Sequence, residues 1–224
     1  MRRMAIIVAG GSGSRFGAAQ PKQFVILRDK PVLMWTIDAF ARQCDRLVVV
    51  LPESHHELWR QLCRQYACTL AHEVVAGGAT RWHSVCNGLA RLDIAVGDIV
   101  AVHDGVRPLV SQQLIRRVFE QAQALGSAVP AVPLTDSVRQ LDAQGTSHAI
   151  DRDTLRAVQT PQAFDAVALR AAYEQPYRTS FTDDASVYEA AGRPVHLADG
   201  DPTNIKITHL SDLRVAQQLM EHEQ

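Results

Sequence analysis

The sequence predicts an α/β fold: a Rossmann-like, mostly parallel sheet with helices on both faces and a projecting β-hairpin arm. Strand-like apolar runs alternate with segments of helical periodicity through most of the chain, which is typical of parallel sheets. Glycine-rich or charged segments follow the first, third and fourth of these runs, as ligand-binding loops do at the carboxyl ends of strands. The alternation stops only at about 134–155, where short β-rich pieces flank a turn.

Length, charge and cysteine content narrow the class of protein. The 224 residues predict a single domain, 1–224, with an arm at about 134–155. Because 23 Lys plus Arg balance 24 Asp plus Glu, nothing favours a nucleic-acid partner. The four cysteines lack metal-type spacing and suit free thiols in a reducing compartment. No signal peptide or membrane-length apolar run is present, so we expect a cytoplasmic protein without a membrane partner.

The first half of the chain contains four strand-like runs, each short and apolar, with a helical segment after each of the first three. Pro31 suits the first turn of a helix, and Ser54 and Thr80 are the expected N-caps of the next two. The predicted strands are 4–8, 46–51, 74–75 and 99–102, and the predicted helices are 31–42, 54–67 and 80–92.

The second half contains the predicted arm and the remaining helices. Ser111 is the expected N-cap of a helix to 125, and Thr182 of a helix further on. The turn-forming residues 142–145 between two β-rich pieces predict a hairpin, and such arms often mediate dimerisation. The other predicted elements are strands at 128–132 and 195–197, a helix at 165–174 and a C-terminal helix.

A glycine-rich stretch, 9–17, directly follows the first predicted strand. Glycines let the backbone approach a ligand closely, and successive N–H groups can converge on an anion. Arg15 and Lys22 add two positive charges nearby. The stretch is not a Walker A loop, since its last glycine is not followed by lysine, and Phe16 occupies a glycine position of the dinucleotide fingerprint. A flexible turn is the alternative, but the two cations favour a polyphosphate site.

Five polar side chains have a structural interpretation as well as a functional one. Asp104 could cap a turn with Arg107 as its surface partner, or hold Mg²⁺ beside the phosphates of a ligand. Lys206 lies between two isoleucines, as an outward lysine of an edge strand would. Arg152 most simply forms a surface ion pair, and Thr182 most simply caps its helix.

No segment predicts covalent catalysis. His83, His103 and His148 have neither a nucleophile partner nor the spacing of metal ligands. No Gly-x-Ser-x-Gly motif and no cysteine–histidine arrangement is present. The chemistry of the site is therefore expected to depend on binding and charge.

Several segments together resemble the motifs of the 2-C-methyl-D-erythritol 4-phosphate cytidylyltransferases, nucleotidyltransferases of the non-mevalonate isoprenoid pathway. They occur in that family's order along nearly the whole chain: 9–17 with 21–23, 74–89, 103–108, 160–162, 182–186 and 204–208. Ribitol-5-phosphate cytidylyltransferases share most of them, and Ser84-Val85 with Gly88-Leu89 looks more like the methylerythritol branch. A catalytically silent nucleotide-binding module is a third hypothesis, which has no need for the full set of cations.

The resemblance implies a reaction in which the phosphate of the acceptor attacks the α-phosphorus of CTP, with Mg²⁺ bound and pyrophosphate leaving. It implies a catalytic set of Arg15, Lys22, Arg152 and Lys206. It implies a CTP-binding set of Ala9, Gly10, Gly11, Gly13, Gly78, Ser84 and Asp104, with Asp104 also the metal ligand. It implies that Arg107, Ser137 and Thr182 surround the polyol phosphate.

The resemblance also implies a homodimer in which the arm carries some of these residues across to the partner's site. Two positions depart from the family's pattern. Ala79 stands where many relatives have an acidic residue near the nucleotide, so that contact is lost or replaced. Ser137 stands where threonine is common, so the hydroxyl is kept and the methyl group is not.

Overall fold

The structure is a computed structural model that describes residues 1–11 and 20–222. The strands are β1 (Arg3–Val8), β2 (Ile26–Leu27), β3 (Lys30–Pro31), β4 (Arg46–Leu51), β5 (Glu73–Ala76), β6 (Ile99–Asp104), β7 (Ser127–Pro133), β8 (Val138–Leu141), β9 (Ser147–Ile150), β10 (Arg156–Val158), β11 (Gln162–Asp165) and β12 (Leu197–Asp199). The helices are α1 (Val32–Ala41), α2 (His56–Gln65), α3 (Arg81–Leu89), α4 (Gln112–Leu125), α5 (Ala166–Ala172), α6 (Asp184–Ala190) and α7 (Leu210–His222).

An eight-stranded sheet organises the fold, in the order β10-β7-β11-β6-β1-β4-β5 with β12 also paired to β7. The pairs of β1 with β4 and β6, and of β4 with β5, are parallel. The chain moves outward from β1 to β4 and β5 and then returns to β6 on the other side of β1. Such a reversal leaves a crevice at the carboxyl ends of the two central strands. The predicted mostly parallel sheet is confirmed.

Side-chain alternation along the central strands places a hydrophobic core on each face of the sheet. In β1, Ala5 and Ile7 join one core, while Met4 and Ile6 join the other, as the two-residue period of a strand requires. Helices α1, α2 and α4 cover the first face, and α3, α5 and α6 cover the second. Full burial of one such aliphatic side chain contributes about 1.5–3 kcal/mol. The predicted helices on both faces are therefore confirmed.

Two of the predicted N-caps are confirmed and two are wrong. The side chains of Thr80 and Ser111 accept hydrogen bonds from the first turns of α3 and α4. Ser54 instead lies inside a short 3-10 turn, Glu53–His55, that precedes α2. The N-cap of α6 is Asp183, whose carboxylate accepts the Ser186 N–H at 2.9 Å, so Thr182 lies just outside the helix.

The region after the arm differs most from the prediction. Strands β10 and β11 are too short for a sequence pattern and form because they pair antiparallel with strands already in the sheet. The helix expected at 165–174 is shorter, with Asp165 as the N-cap of α5. The last strand begins at Leu197 rather than at 195, because Leu197 pairs in register with Val129 of β7.

Strands β8 and β9 form the predicted hairpin arm, with Val138 paired to Ile150. Its turn is stabilised by Asp142, whose Oδ1 accepts the N–H groups of Gln144 and Thr146 at 3.0 and 2.8 Å. Leu141 is 67% exposed, so the arm presents apolar surface that this chain does not cover. Among the helices of the described residues, none has the length and apolar character needed to span a membrane.

Candidate active site

A cavity of about 470 Å³ opens at the carboxyl ends of β1 and β6. This is the crevice where ligands bind in open α/β sheets. Eight of the predicted catalytic and binding residues line it: Ala9, Gly10, Gly11, Lys22, Gly78, Ser84, Asp104 and Lys206. Of the other predicted site residues, Gly13 and Arg15 lie outside the described residues.

The loop before α3 forms one wall of this cavity, and Ser84 stabilises its shape. The Ser84 hydroxyl accepts the Gly78 N–H at 3.1 Å and donates to the Thr80 carbonyl at 3.0 Å. A side chain at position 78 would collide with His83, so glycine is required for this approach. The sequence analysis predicts that Ser84 contacts the ligand. In the structure, Ser84 also holds the shape of this loop.

The segment that carries Lys22 is anchored to the end of β1. The Gln23 side chain donates to the carbonyl oxygen of Ala9 at 2.9 Å, and both groups are buried. The ring of Phe24 stacks against that of Trp59 from α2, with centroids 6.0 Å apart. These two contacts hold the Lys22–Phe24 turn against the sheet, so Lys22 is presented at the cavity.

Asp104, the last residue of β6, lies among three cations. Its Oδ2 is 3.0 Å from Lys206 Nζ and 3.4 Å from Arg107 Nε, and its Oδ1 is 3.8 Å from Arg81 Nε. Burial by itself would raise the pKa of Asp104, but the three positive charges hold that pKa well below its usual range. Asp104 is therefore an ionised carboxylate that orients cations.

Arg81 is held by a second, fully buried carboxylate. Its Nη2 is 2.6 Å from Asp184 Oδ2, and the Tyr173 hydroxyl donates to Asp184 Oδ1 at 2.6 Å. Burial would lower the pKa of Arg81, but Asp184 and Asp104 raise it. Arg81 lies within the 74–89 motif, but it was not among the site residues predicted from the sequence. A basic residue directly after a glycine-rich loop was the available signal.

Hydrogen bonds join the segments around this cluster into a ring. Arg107 Nη1 donates to the Asn204 carbonyl at 2.7 Å, and Asn204 Nδ2 donates to the Thr160 carbonyl at 2.8 Å. The Thr160 hydroxyl accepts the Asp104 N–H at 3.0 Å. Three segments distant in sequence thus share one network, which sets the spacing of Asp104, Arg107 and Lys206.

His103 lies directly beneath this ring and is fully buried. Its Nε2 is 3.2 Å from the Arg107 carbonyl, which can only accept, so this nitrogen carries the proton. Its Nδ1 then accepts from the Thr160 hydroxyl at 3.1 Å. Burial lowers the pKa of His103 to about 3, so the imidazole is neutral at physiological pH and acts by positioning its neighbours.

A second cavity of about 230 Å³ adjoins the first. The two cavities share Arg81, Asp104 and Lys206. The second is also lined by Arg107 and Thr182, two of the residues predicted to surround the polyol phosphate. Two ligands, one larger than the other, can therefore meet at the same cation cluster.

Arg152 and Ser137 are not brought to these cavities. Both are exposed near the base of the arm, and neither is among the described residues that line either cavity. Arg152 donates to the Thr135 carbonyl, and its Nε is 4.0 Å from Asp153 Oδ1. Within one chain, Arg152 is thus the surface ion pair that the simpler interpretation expected.

The residues present fit a Mg²⁺ ion that arrives with a polyphosphate. No group of three or more His, Cys, Asp or Glu side chains converges on one point within residues 1–11 and 20–222. Mg²⁺ is commonly held by one or two carboxylates together with substrate phosphates and water. Asp104 supplies one such carboxylate, and its Oδ1 is the oxygen further from a cation.

The crevice at the switch point of the sheet contains a cation cluster that two adjoining cavities share. This is the site of a nucleotidyltransferase, an enzyme whose chemistry depends on charge neutralisation and positioning. Residues 3–222 match the family model described as 2-C-methyl-D-erythritol 4-phosphate cytidylyltransferase. The chain belongs to this family.

Individual relatives agree with the family model. The chain is 50% identical over 220 residues to the 2-C-methyl-D-erythritol 4-phosphate cytidylyltransferase of Porphyromonas gingivalis, with 98% of each chain covered. It is 46% identical over 222 residues to that of Bacteroides fragilis, covering 98% of this chain and 100% of the relative. A crystal structure of the enzyme from Thermus thermophilus is similar, with a TM-score of 0.80, 33% identity and 98% coverage of both chains.

Proposed function

We propose that this protein transfers a cytidylyl group from CTP to 2-C-methyl-D-erythritol 4-phosphate, giving 4-diphosphocytidyl-2-C-methyl-D-erythritol and pyrophosphate. The observation that carries the proposal is the pair of adjoining cavities that share Asp104, Arg81 and Lys206. The cavity volumes of about 470 and 230 Å³ suit a nucleotide and a smaller phosphorylated alcohol. Family membership supports the identity of both substrates.

In this proposal CTP occupies the larger cavity. The backbone at Gly10, Gly11 and Gly78 holds the cytosine and ribose, with Ala9 and Ser84 shaping the pocket. Lys22 lies near the phosphates, and the proposal gives Arg15 and Gly13 contacts with the same ligand. Backbone N–H groups and fixed cations bind phosphate oxygens because they carry positive charge toward the ligand.

The methylerythritol phosphate occupies the smaller cavity. Arg107 and Thr182 line it, and Lys206 stands where the two substrates meet. We place Arg152 and Ser137 at the site of the partner subunit in a homodimer formed through the arm. Their exposed positions outside both cavities of their own chain support this placement.

The chemical step is an in-line displacement at the α-phosphorus. An oxygen of the acceptor phosphate forms the new P–O bond as the bond to the departing pyrophosphate breaks, and no protein nucleophile takes part. Lys22, Arg15 and Lys206 stabilise charge that develops on the α-phosphate and the leaving oxygen. Asp104 holds Lys206 and Arg107 in register and is the residue that would contact Mg²⁺. When bound, Mg²⁺ would neutralise part of the negative charge of the triphosphate.

Pyrophosphate release tests this function directly. The enzyme is assayed with CTP and Mg²⁺, in parallel with 2-C-methyl-D-erythritol 4-phosphate and with ribitol 5-phosphate. We expect a strong preference for the methylerythritol substrate. A preference for ribitol 5-phosphate would make that compound the acceptor in place of methylerythritol phosphate. Binding of CTP without pyrophosphate release would show that the protein is a nucleotide-binding module and not an enzyme. The proposed cytoplasmic location suits these soluble substrates.

A further inference from the structure

The end of α2 brings two cysteines together. Its last residues form a Schellman motif, in which Ala67 has φ of +49° and the Cys68 N–H donates to the Cys63 carbonyl at 2.9 Å. The Ala67 N–H donates to the Arg64 carbonyl at 3.3 Å, which completes the motif. In this motif the side chain two residues past the cap commonly packs on the one in the last turn. Here both of these side chains carry thiols.

The backbone of this motif holds the two thiols side by side, and their interaction shifts their pKa values in opposite directions. The hydrogen bond from Cys63 lowers the pKa of Cys68 to about 7, with help from the Leu70 N–H and Lys30, while burial and Asp38 oppose the shift. The same bond, with burial, raises the pKa of Cys63, and Arg64 opposes this. The shifts favour ionisation of Cys68 over that of Cys63.

The pair is also accessible. Cys63 and Cys68 are half-buried, and Cys68 lines an open cavity of about 290 Å³ together with Lys30, Asp38 and Arg42. Among described residues, this cavity and the two at the active site have no lining residue in common. A small polar oxidant can thus reach the Cys68 sulfur without entering the substrate site.

The other two cysteines lack these features. Burial raises the pKa of Cys44 to about 12 and that of Cys86 to about 11. Both are therefore protonated thiols, which are poor nucleophiles. They serve as internal controls in the same molecule.

We propose that Cys63 and Cys68 form a redox-active dithiol that hydrogen peroxide converts to an intramolecular disulfide. The Cys68 thiolate attacks one peroxide oxygen, the O–O bond breaks, and sulfenic acid forms as hydroxide leaves and takes up a proton. The Cys63 sulfur then attacks the Cys68 sulfur, the S–O bond breaks, and the thiol proton leaves with the oxygen as a second water. Sulfur loses two electrons, which reduce the peroxide. A small dithiol reverses the change by exchange.

The test is peptide mass spectrometry of the full-length protein after brief peroxide treatment and alkylation of the remaining thiols. We expect a disulfide within 63–68 and unmodified, alkylatable Cys44 and Cys86. Cys63→Ser keeps a donor but removes the resolving sulfur, so Cys68 should accumulate as sulfenic acid that a 1,3-dione probe traps. Cys86→Ser is the matched control and should still form the disulfide.

The pH dependence of alkylation is a second readout that does not require the disulfide. Cys68 should react with a midpoint near pH 7, and Cys63→Ala should move this midpoint toward about 8.5 because the donor is lost. Equal reactivity of all four thiols, or disulfides only between molecules, would overturn the proposal. Circular dichroism of each variant confirms that it is folded.

Discussion

The ammonium of Lys206 lies 3.0 Å from Oδ2 of Asp104, at the boundary between the two cavities. Asp104 is buried, while the Lys206 side chain is 45% exposed, so the ion pair points a cation outward toward the ligands. With Arg81, Arg107 and Asp184 included, three cations face two carboxylates. The cluster therefore keeps positive charge that phosphate groups can neutralise.

Replacing this carboxylate should cost catalysis more than folding. In Asp104→Asn the charge that aligns Lys206 and Arg107 is lost, and we expect kcat to fall roughly 10²-fold or more, as when a preorganised charge is removed. Steady-state pyrophosphate release measures the change. Asp93→Asn, at a carboxylate that is 96% exposed, is the control. An unaltered kcat in Asp104→Asn would contradict the role given to this cluster.

Asp184 should matter for stability. Asp184→Asn leaves Arg81 with a weakened partner and deprives the Tyr173 hydroxyl of a charged acceptor, so we expect a loss of roughly 3 kcal/mol in the free energy of unfolding. Urea denaturation measures it. Asp153→Asn removes an exposed pair with Arg152 and should change stability by less than about 0.5 kcal/mol. Equal effects of the two substitutions would show that Asp184 is not a buried anchor.

The neutral state of His103 predicts a pH dependence of stability. Its pKa is lowered to about 3 in the folded protein, against about 6.5 in an unfolded chain. Below pH 6.5 the unfolded state binds a proton that the folded state does not, so stability falls as pH falls toward 3. Between pH 7.5 and 5.5 this single group should remove about 1.4 kcal/mol.

Urea titrations at those two pH values measure this effect. In His103→Gln the pH-dependent loss should be smaller by that amount, while His148→Gln, at an exposed position of the arm, should behave as the parent protein does. Identical pH dependence in the parent protein and His103→Gln would show that His103 titrates normally.

Gly88 should be sensitive to a single added methyl group. It lies in α3, and a Cβ there would be 2.7 Å from Ile6 Cγ2 in β1. We expect Gly88→Ala to lower stability by about 1–3 kcal/mol through overpacking. The double variant with Ile6→Ala should lose less than the sum of the two single changes, because the clash is then relieved. Simple additivity would argue against this contact.

We predict that the protein is a homodimer formed through the arm. Leu141 is 67% exposed on β8, and Leu141→Arg should weaken a homodimer formed through the arm, as measured by sedimentation equilibrium. Leu125→Arg, at a 51% exposed position at the end of α4, is the matched control and should leave the dimer unchanged. A monomeric mass for the parent protein at micromolar concentration would contradict the proposed dimer.

Much of the fold was predictable because its signals are local. The apolar runs of β1, β4 and β6 and the caps at Thr80 and Ser111 depend on residues within one strand or one turn. The predictions failed where a segment was too short to show a pattern, or where two neighbouring residues could both serve as the N-cap. Ser54 was a plausible cap that the 3-10 turn displaced, and Asp183 outcompeted Thr182 for the same role. Short β10 and β11 have no pattern of their own and exist through pairing.

The sequence by itself determined the α/β class, the glycine-rich stretch, the positions of most cavity residues along the chain and the family to which their motifs belong. Only the tertiary structure decided how these residues act on one another. It placed Asp104 against Lys206, which is 102 positions away, and it placed Arg81 on Asp184. Ionisation and orientation depend on burial and on neighbouring charges, and residues far apart in sequence become neighbours only when the chain folds.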